Sequence, residues 1–118
     1  MHEKKIIKKA LVIGGSGMLR KASLWLADEG YETSVIGRNE EKLHSLVAEN
    51  TLIRPLPIDY GDLSALQKVI RENIKPHGVF NIVVAWIHGD NQKVLDVICR
   101  EIESASDKSW HLYQVLGS

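Results

Sequence analysis

The sequence predicts a three-layer α/β fold: a doubly wound parallel sheet of about five strands in the order 3-2-1-4-5, with helices on both faces. Short apolar runs alternate with amphipathic segments along all 118 residues, and this pattern is typical of parallel strands joined by right-handed helical crossovers. Residues 79–84 are almost continuously apolar, as expected for a central strand covered on both faces. A glycine-rich turn at residues 14–17 follows the first apolar run.

The first two units each consist of a strand and a helix. The first strand is predicted over residues 6–13, and Gly30 is expected to end the helix that follows. Apolar spacing predicts the inward residues of this helix, which are Met18, Ala22, Trp25 and Leu26. A second strand is predicted over residues 33–36. Asn39 then suits the N-cap of a second helix, whose inward residues are expected to be Leu43, Leu46 and Val47.

The third strand, residues 51–58, contains two prolines that cannot donate to a strand ladder, which favours an edge position or an early end of the strand. Asp62 is expected to start the third helix and Pro76 to mark its end. The apolar residues of that helix are Leu63, Leu66, Val69, Ile70 and Ile74.

A fourth strand is predicted over residues 79–84, a fourth helix over 91–104 and a fifth strand over 110–116. The apolar face of the fourth helix consists of Val94, Leu95, Ile98, Cys99 and Ile102. Cys99 is the only cysteine, so the chain cannot form an internal disulfide. On this face we expect a buried, inert thiol.

Composition excludes several functions. Fifteen basic and fifteen acidic residues cancel, so no overall field favours nucleic acid or an anionic membrane. The apolar runs are too short to cross a bilayer, and the N-terminus lacks the features of a secretory signal, so we expect a cytoplasmic location. The histidines are not spaced as paired ligands on one helix face, and no metal site is predicted.

The glycine-rich turn predicts a dinucleotide site. A parallel strand there must reverse tightly into a helix whose free N–H groups can face a pyrophosphate, and side chains would block the approach. Gly15 and Gly17 leave that space open, whereas Arg20 replaces the third glycine of the usual spacing. A plain strand-to-helix turn is the alternative interpretation, and a helix-surface role for Arg20 is as compatible with the pattern as a phosphate contact.

Three segments, 10–19, 35–43 and 57–60, resemble the N-terminal half of the short-chain dehydrogenase/reductase family: Ala-Leu-Val-Ile-Gly-Gly-Ser-Gly-Met-Leu, Val-Ile-Gly-Arg-Asn-Glu-Glu-Lys-Leu and Pro-Ile-Asp-Tyr. The resemblance implies a single Rossmann-like, NAD(P)-binding domain over residues 1–118, truncated after the fifth strand. It also implies that Arg38 holds the adenosine 2′-phosphate, so NADP(H) is preferred over NAD(H). The implied cofactor-binding residues are Gly14, Gly15, Ser16, Gly17, Met18, Leu19, Arg38, Asp59, Tyr60 and Ala85. A solvated surface arginine at residue 38 and a local turn at Asp59 are the alternatives.

The sequence departs from the family at the positions of catalysis. Ala85-Trp86-Ile87-His88 replaces the small residues Asn-Asn-Ala-Gly that the family carries after the fourth strand. Trp86 there either narrows the nicotinamide end or fills the core. The family's Tyr-x-x-x-Lys pair is absent from the 118 residues. Ser118, near the expected serine, and His88, just past the fourth strand, are weak catalytic candidates.

Two functions from different classes follow. The first is an NADP(H)-binding domain, with hydride transfer between NADP(H) and a carbonyl or alcohol as the reaction that the resemblance implies. The second is a non-catalytic nucleotide-sensing or partner-binding module, in which the uncovered final strand joins another chain and forms an oligomer. A flavodoxin-like protein has a similar alternation of strands and helices, but its phosphate loop is rich in Ser and Thr, whereas Ser16 is the only hydroxyl residue of this loop.

Overall fold

The computed structural model describes residues 8–14, 20–59, 61–77, 80–87, 92–105 and 111–116. Within these ranges, strands and helices alternate as the sequence predicts. In chain order the elements are β1 (Lys9–Ile13), α1 (Arg20–Asp28), β2 (Glu32–Gly37), α2 (Glu40–Glu49), β3 (Ile53–Pro57), α3 (Leu63–His77), β4 (Ile82–Ile87), α4 (Gln92–Ala105) and β5 (His111–Leu116).

All strand pairs are parallel, and the order β3-β2-β1-β4-β5 confirms the predicted fold class. Ile13, the last residue of β1, lies opposite Ile36 of β2 and Ala85 of β4. The order of strands reverses between β1 and β4, because the chain first builds outward to β3 and then returns to the other side of β1. The proline-containing strand β3 lies at the edge, as predicted.

The sheet separates two apolar cores, and alternate residues of β1 point into each. Leu11 and Ile13 belong to the first core, which contains the buried residues of α3 and α4: Leu66, Ile70, Val94, Ile98 and Ile102. Ala10 and Val12 belong to the second core, which α1 and α2 cover with Leu26, Ala27, Leu43 and Leu46. The inward faces predicted for the second, third and fourth helices are therefore confirmed at these positions.

Capping groups define the helix ends as expected. Gly30 has a φ of 94°, a conformation that favours glycine, and ends α1. Its N–H donates to the carbonyl oxygen of Ala27 at 3.0 Å, while Tyr31 N–H reaches back to Leu26 at 3.0 Å; this pair of bonds is a Schellman motif. Asn39 caps α2 by accepting from Lys42 N–H at 3.0 Å.

The outward position of Trp25 corrects the predicted inner face of α1. Its exposed fraction is 60%, whereas Leu26 is 3% exposed and Ala22 is half-buried. Trp25 lies at the margin of the apolar stripe. Among the described helices, none besides α1 packs over β4 on this face of the sheet, so none of them covers the indole.

Some element bounds also differ from the predictions. β4 begins at Ile82 and ends at Ile87, three residues later than expected. Asn81 marks its start, because its N–H donates to the Lys9 carbonyl oxygen at 2.8 Å and its Oδ1 accepts from Lys9 N–H at 2.9 Å. α3 extends through Pro76 to His77; a proline in a last turn removes a single helical hydrogen bond.

Candidate functional site

Four of the predicted cofactor residues lie at or near the carboxyl ends of four neighbouring strands. Gly14 follows β1, Arg38 follows β2, Asp59 lies two residues after β3, and Ala85 lies in β4. Ligands of open α/β sheets bind at this edge, where the strand order reverses. The reversal here falls between β1 and β4, so the predicted residues are distributed across the appropriate edge.

Gly14 begins the turn that leaves β1. Its φ of 84° lies in the left-handed region, where a Cβ is strained. Its N–H donates to the carbonyl oxygen of Ile36 at 2.9 Å, so the turn is fixed to the end of β2. Gly14 therefore has a structural requirement of its own, independent of any ligand.

Arg38 is exposed between the end of β2 and the N-cap of α2. The Asn39 cap fixes the backbone directly after it. Within the described part of the chain, no hydrogen bond or ion pair engages the Arg38 side chain. A guanidinium in this position is accessible to an anion at the carboxyl edge and can bind a phosphate with two parallel hydrogen bonds.

Asp59 forms a local turn. Its Oδ1 accepts from Gly61 N–H at 2.9 Å, and its carbonyl oxygen accepts from Asp62 N–H at 3.0 Å. Asp62 then accepts from Ala65 N–H at 3.2 Å through Oδ1, as expected for the residue that starts α3. The structure thus shows the local turn at Asp59, which is one of the two interpretations that the sequence allowed for this residue. The side chain is exposed.

The structure places Ala85 inside a strand, which corrects its expected position after the fourth strand. Ala85 is fully buried, pairs with Ile13 and belongs to the core that faces α3 and α4. Its small side chain is therefore part of the packing beneath the end of β1. Trp86 and Ile87 also lie within β4.

The remaining predicted site residues lie outside the described ranges. They are the cofactor-binding candidates Gly15, Ser16, Gly17, Met18, Leu19 and Tyr60 and the catalytic candidates His88 and Ser118.

Arg20 has a helix-surface role. Its guanidinium donates to Ser45 Oγ at 3.0 Å and forms an ion pair with Glu49, both on α2. These contacts hold α1 against α2. They engage the guanidinium of Arg20, the residue that replaces the third glycine of the motif. The sequence left open a phosphate contact or a helix-surface role for Arg20, and the observed contacts are those of a helix-surface residue.

Lys9 is an ionisable residue that the sequence analysis did not single out. It is 1% exposed at the start of β1, at the opposite end of the sheet from the candidate site. Its Nζ donates to the carbonyl oxygen of Asn73 at 2.7 Å and lies 4.6 Å from the ring centroid of Phe80. Burial lowers the pKa of Lys9 to about 8. The adjacent Lys8 is exposed. Because the two lysines are neighbours, the sequence alone does not indicate which of them points inward.

Cys99 lies at the margin of the α4 face and is half-buried, which is less than the predicted core position. Burial raises the pKa of its thiol, and the nearby carboxylates of Glu103 and Asp96 raise it further. The thiol is therefore mainly protonated at neutral pH, as expected for an unreactive cysteine.

Among the described residues, no three His, Cys, Asp or Glu side chains cluster in a way that could hold a metal ion, and no helix is long and apolar enough to cross a membrane.

Comparisons with known proteins identify the fold. No protein-family model matches the sequence, and no curated protein matches it. Solved structures do match. A short-chain dehydrogenase from Streptomyces avermitilis superposes with a TM-score of 0.79 at 16% identity, over 94% of this chain and 49% of its own. A metagenomic short-chain oxidoreductase in complex with NADP gives a TM-score of 0.78 at 17% identity, over 91% of this chain and 61% of its own.

The similar structures differ in function. Ribose-5-phosphate isomerase from Brucella melitensis 16M superposes with a TM-score of 0.77 at 15% identity, over 91% of this chain and 50% of its own. Proteins that share one fold often have different activities. Sequence identities this low therefore show only that the fold is shared. This chain spans about half the length of the structures it matches. It has the Rossmann-like fold of the short-chain dehydrogenases and reductases.

Proposed function

We propose that this chain is a nicotinamide-dinucleotide-binding domain that prefers NADP(H) to NAD(H). The observation that supports this proposal best is the exposed Arg38 at the carboxyl end of β2, next to the turn that Gly14 begins. An arginine there suits a phosphate, and no acid precedes it to accept hydrogen bonds from ribose hydroxyls. Two similar structures contain NADP or NADPH: the metagenomic oxidoreductase and an actinorhodin polyketide ketoreductase variant.

The cofactor would be held by groups from several strand ends. The backbone of residues 14–19 would face the pyrophosphate, Arg38 the 2′-phosphate, and residues 59–60 the adenine. Ala85 is buried within β4, so its methyl group would support the packing beneath the cofactor rather than touch it. When bound, NADPH supplies a hydride for reduction of a carbonyl carbon.

Carbonyl reduction also needs a proton for the carbonyl oxygen. The Tyr-x-x-x-Lys pair that would provide it is absent from these 118 residues. We therefore propose nucleotide binding for residues 1–118 as one domain, and alcohol–carbonyl interconversion only for a molecule in which further polypeptide supplies that pair. Within this sequence, His88 and Ser118 are the catalytic candidates.

Calorimetric titration with NADPH and, separately, NADH tests the binding proposal. We expect tighter binding of NADPH. Arg38→Asp should weaken NADPH binding by at least about tenfold, because a charge-assisted hydrogen bond contributes about 1.5–3 kcal/mol and 1.4 kcal/mol corresponds to a factor of ten. The affinity for NADH should be unchanged or higher, since the new carboxylate can accept from ribose hydroxyls.

Arg100→Glu is the matched control, because Arg100 is exposed on α4 and the substitution makes the same change in charge. It should leave both affinities unchanged. No binding of either nucleotide by the unmodified chain would overturn the proposal. Equal losses in the two variants would mean that Arg38 acts only through the overall charge.

A further inference from the structure

The direction of the backbone groups along β3 follows from its register with β2. β3 lies at the end of the described sheet and pairs there with β2. Thr33 lies opposite Ile53, and its N–H donates to the carbonyl oxygen of Leu52 at 3.0 Å. The backbone groups of successive strand residues point to opposite sides. Those that face β2 belong to Leu52, Arg54 and Leu56. Those that face away from the sheet belong to Ile53, Pro55 and Pro57.

The three outward positions of β3 offer no free N–H donor. Proline has no backbone N–H, and Pro55 and Pro57 occupy two of these positions. At the third position, the Ile53 N–H donates to the carbonyl oxygen of Asn50 at 3.1 Å. The outward backbone groups that remain along this strand are carbonyl oxygens.

The two prolines stand where they leave the pairing with β2 intact. The chain has three prolines, and two of them are at alternate positions of this five-residue strand. A proline at residue 54 or 56 would remove a hydrogen bond to β2. The spacing of Pro55 and Pro57 therefore removes donors from the outer edge alone.

Apart from its prolines, β3 has the properties of a strand that pairs with others. Residues 51–58 carry a single charge, on Arg54. The Nε of this arginine lies 2.9 Å from Glu32 Oε1, so the charge is neutralised within the chain. An apolar strand edge with little net charge pairs readily with further strands. The prolines are therefore the feature of β3 that opposes such pairing.

We propose that Pro55 and Pro57 close this edge of the sheet to a further β-strand, whether from a second copy of this chain or from another protein. A strand that joins a sheet must both donate and accept along its length. The N–H groups of an incoming strand would meet the outward carbonyl oxygens. Its own carbonyl oxygens would lose water opposite positions that have no donor. This assignment does not depend on nucleotide binding.

The test restores the missing donors in the double variant Pro55→Val/Pro57→Val, because valine favours strands. NMR hydrogen exchange of the two new amides is followed at several protein concentrations. In the monomer these amides should exchange fast, because they face solvent. They should become protected as the concentration rises. Sedimentation should show self-association at least about tenfold tighter than that of the unmodified chain, which is the effect of one good hydrogen bond.

Two control variants separate the donors from other effects. Pro76→Ala removes the remaining proline, which lies in α3, and should self-associate no more than the unmodified chain. Arg54→Val makes β3 more apolar without adding an outward donor, because the Arg54 N–H faces β2, and it should behave in the same way. Association at any other surface is common to the unmodified chain and all variants.

Three outcomes would overturn the proposal. Protection of the new amides at every concentration would show that residues 55 and 57 face β2. A double variant that self-associates no more than the unmodified chain would show that the prolines do not close the edge. Equally strong association of Arg54→Val would show that apolar surface, and not the missing donors, controls pairing. Pro55→Val and Pro57→Val alone each introduce one amide and give the same readout if the double variant does not fold.

Discussion

Lys9 shows how burial of one residue makes stability depend on pH. Its pKa falls from 10.5 to about 8, first because burial disfavours the charged form; the nearby Arg54 acts in the same direction and Glu32 opposes it. Between pH 8 and 10.5 the unfolded chain therefore binds more protons at this residue than the folded chain. Its contribution to the free energy of unfolding rises with pH across that interval and is constant below it.

We expect Lys9→Met to remove this pH dependence and to leave stability at pH 7 unchanged or higher. The pKa difference corresponds to a cost of about 3 kcal/mol for keeping the charge in the folded state, and the loss of the bond to Asn73 offsets part of the gain. Urea unfolding at pH 7, 9 and 10.5 measures the effect. Lys8→Met, at the adjacent exposed position, should retain the rise in stability, and a parallel rise in both variants would contradict the assignment.

Residue-level predictions succeeded where local chemistry determines the outcome. Asn39 and Gly30 have the cap positions expected of them, because a side-chain acceptor or a positive φ satisfies nearby backbone groups regardless of the rest of the fold. Trp25 and Lys9 could not be predicted in this way. Whether an indole is covered or a lysine is buried depends on which helices cover each face of the sheet.

At the scale of elements, one ion pair links α3 to α4. Arg71 Nε lies 2.6 Å from Glu101 Oε1 and 3.0 Å from Oε2, and the Glu101 side chain is only 6% exposed. The carboxylate lies where water is largely excluded, so the adjacent guanidinium stabilises its charge. The pair therefore holds the two helices in register beside the first core.

We expect Arg71→Ala to destabilise the fold by about 1–3 kcal/mol, because the nearly buried Glu101 carboxylate loses a charged partner. Lys68→Ala is the control on the same helix. The Lys68–Glu72 pair is exposed and separated by 4.0 Å, and such pairs contribute about 0.3–0.5 kcal/mol. Alanine favours helix in both variants, so the difference between their denaturation midpoints reports the contribution of the Arg71–Glu101 pair. Equal midpoints would show that Glu101 does not depend on Arg71.

The sequence predicted which strands and helices are present more accurately than it predicted the residues at which they begin and end. The apolar run that gave β4 continues through Ala85-Trp86-Ile87, so composition does not mark where the strand begins or ends. Its start is set by the two hydrogen bonds between Asn81 and Lys9, a pair of residues 72 positions apart. Long-range pairing of this kind is not visible in a local pattern.

At the scale of the whole molecule, the strand order followed from the alternation of elements and from the handedness of parallel crossovers. The same topology brings Gly14, Arg38 and Asp59 to one edge of the sheet, although they are far apart in sequence. The alternation of elements therefore predicted that these candidate residues would share one edge of the sheet. The contacts of Arg20 and the burial of Ala85 depend on packing between elements, and they became apparent only in the structure.

Hydrogen exchange tests whether the carboxyl edge as a whole binds the nucleotide. The chain offers internal pairs for comparison: the backbone at residues 38–39 and at residues 59 and 61 lies at the carboxyl edge, and the turns at 30–31 and 51–52 lie at the amino edge. Amides in such turns exchange through local openings. Bound NADPH should slow exchange at the first pair only, because a ligand stabilises the closed form where it makes contact.

Core amides that exchange through global unfolding should slow on both sides of the sheet. A ligand present at 100 times its Kd stabilises the fold by about 2.7 kcal/mol, so this uniform effect must be separated from the local one. Equal slowing in the turns at both edges would mean that NADPH stabilises the chain without occupying the carboxyl edge. Slowing confined to the amino-edge turns would place the nucleotide near Lys9 and contradict the site built from Gly14, Arg38 and Asp59.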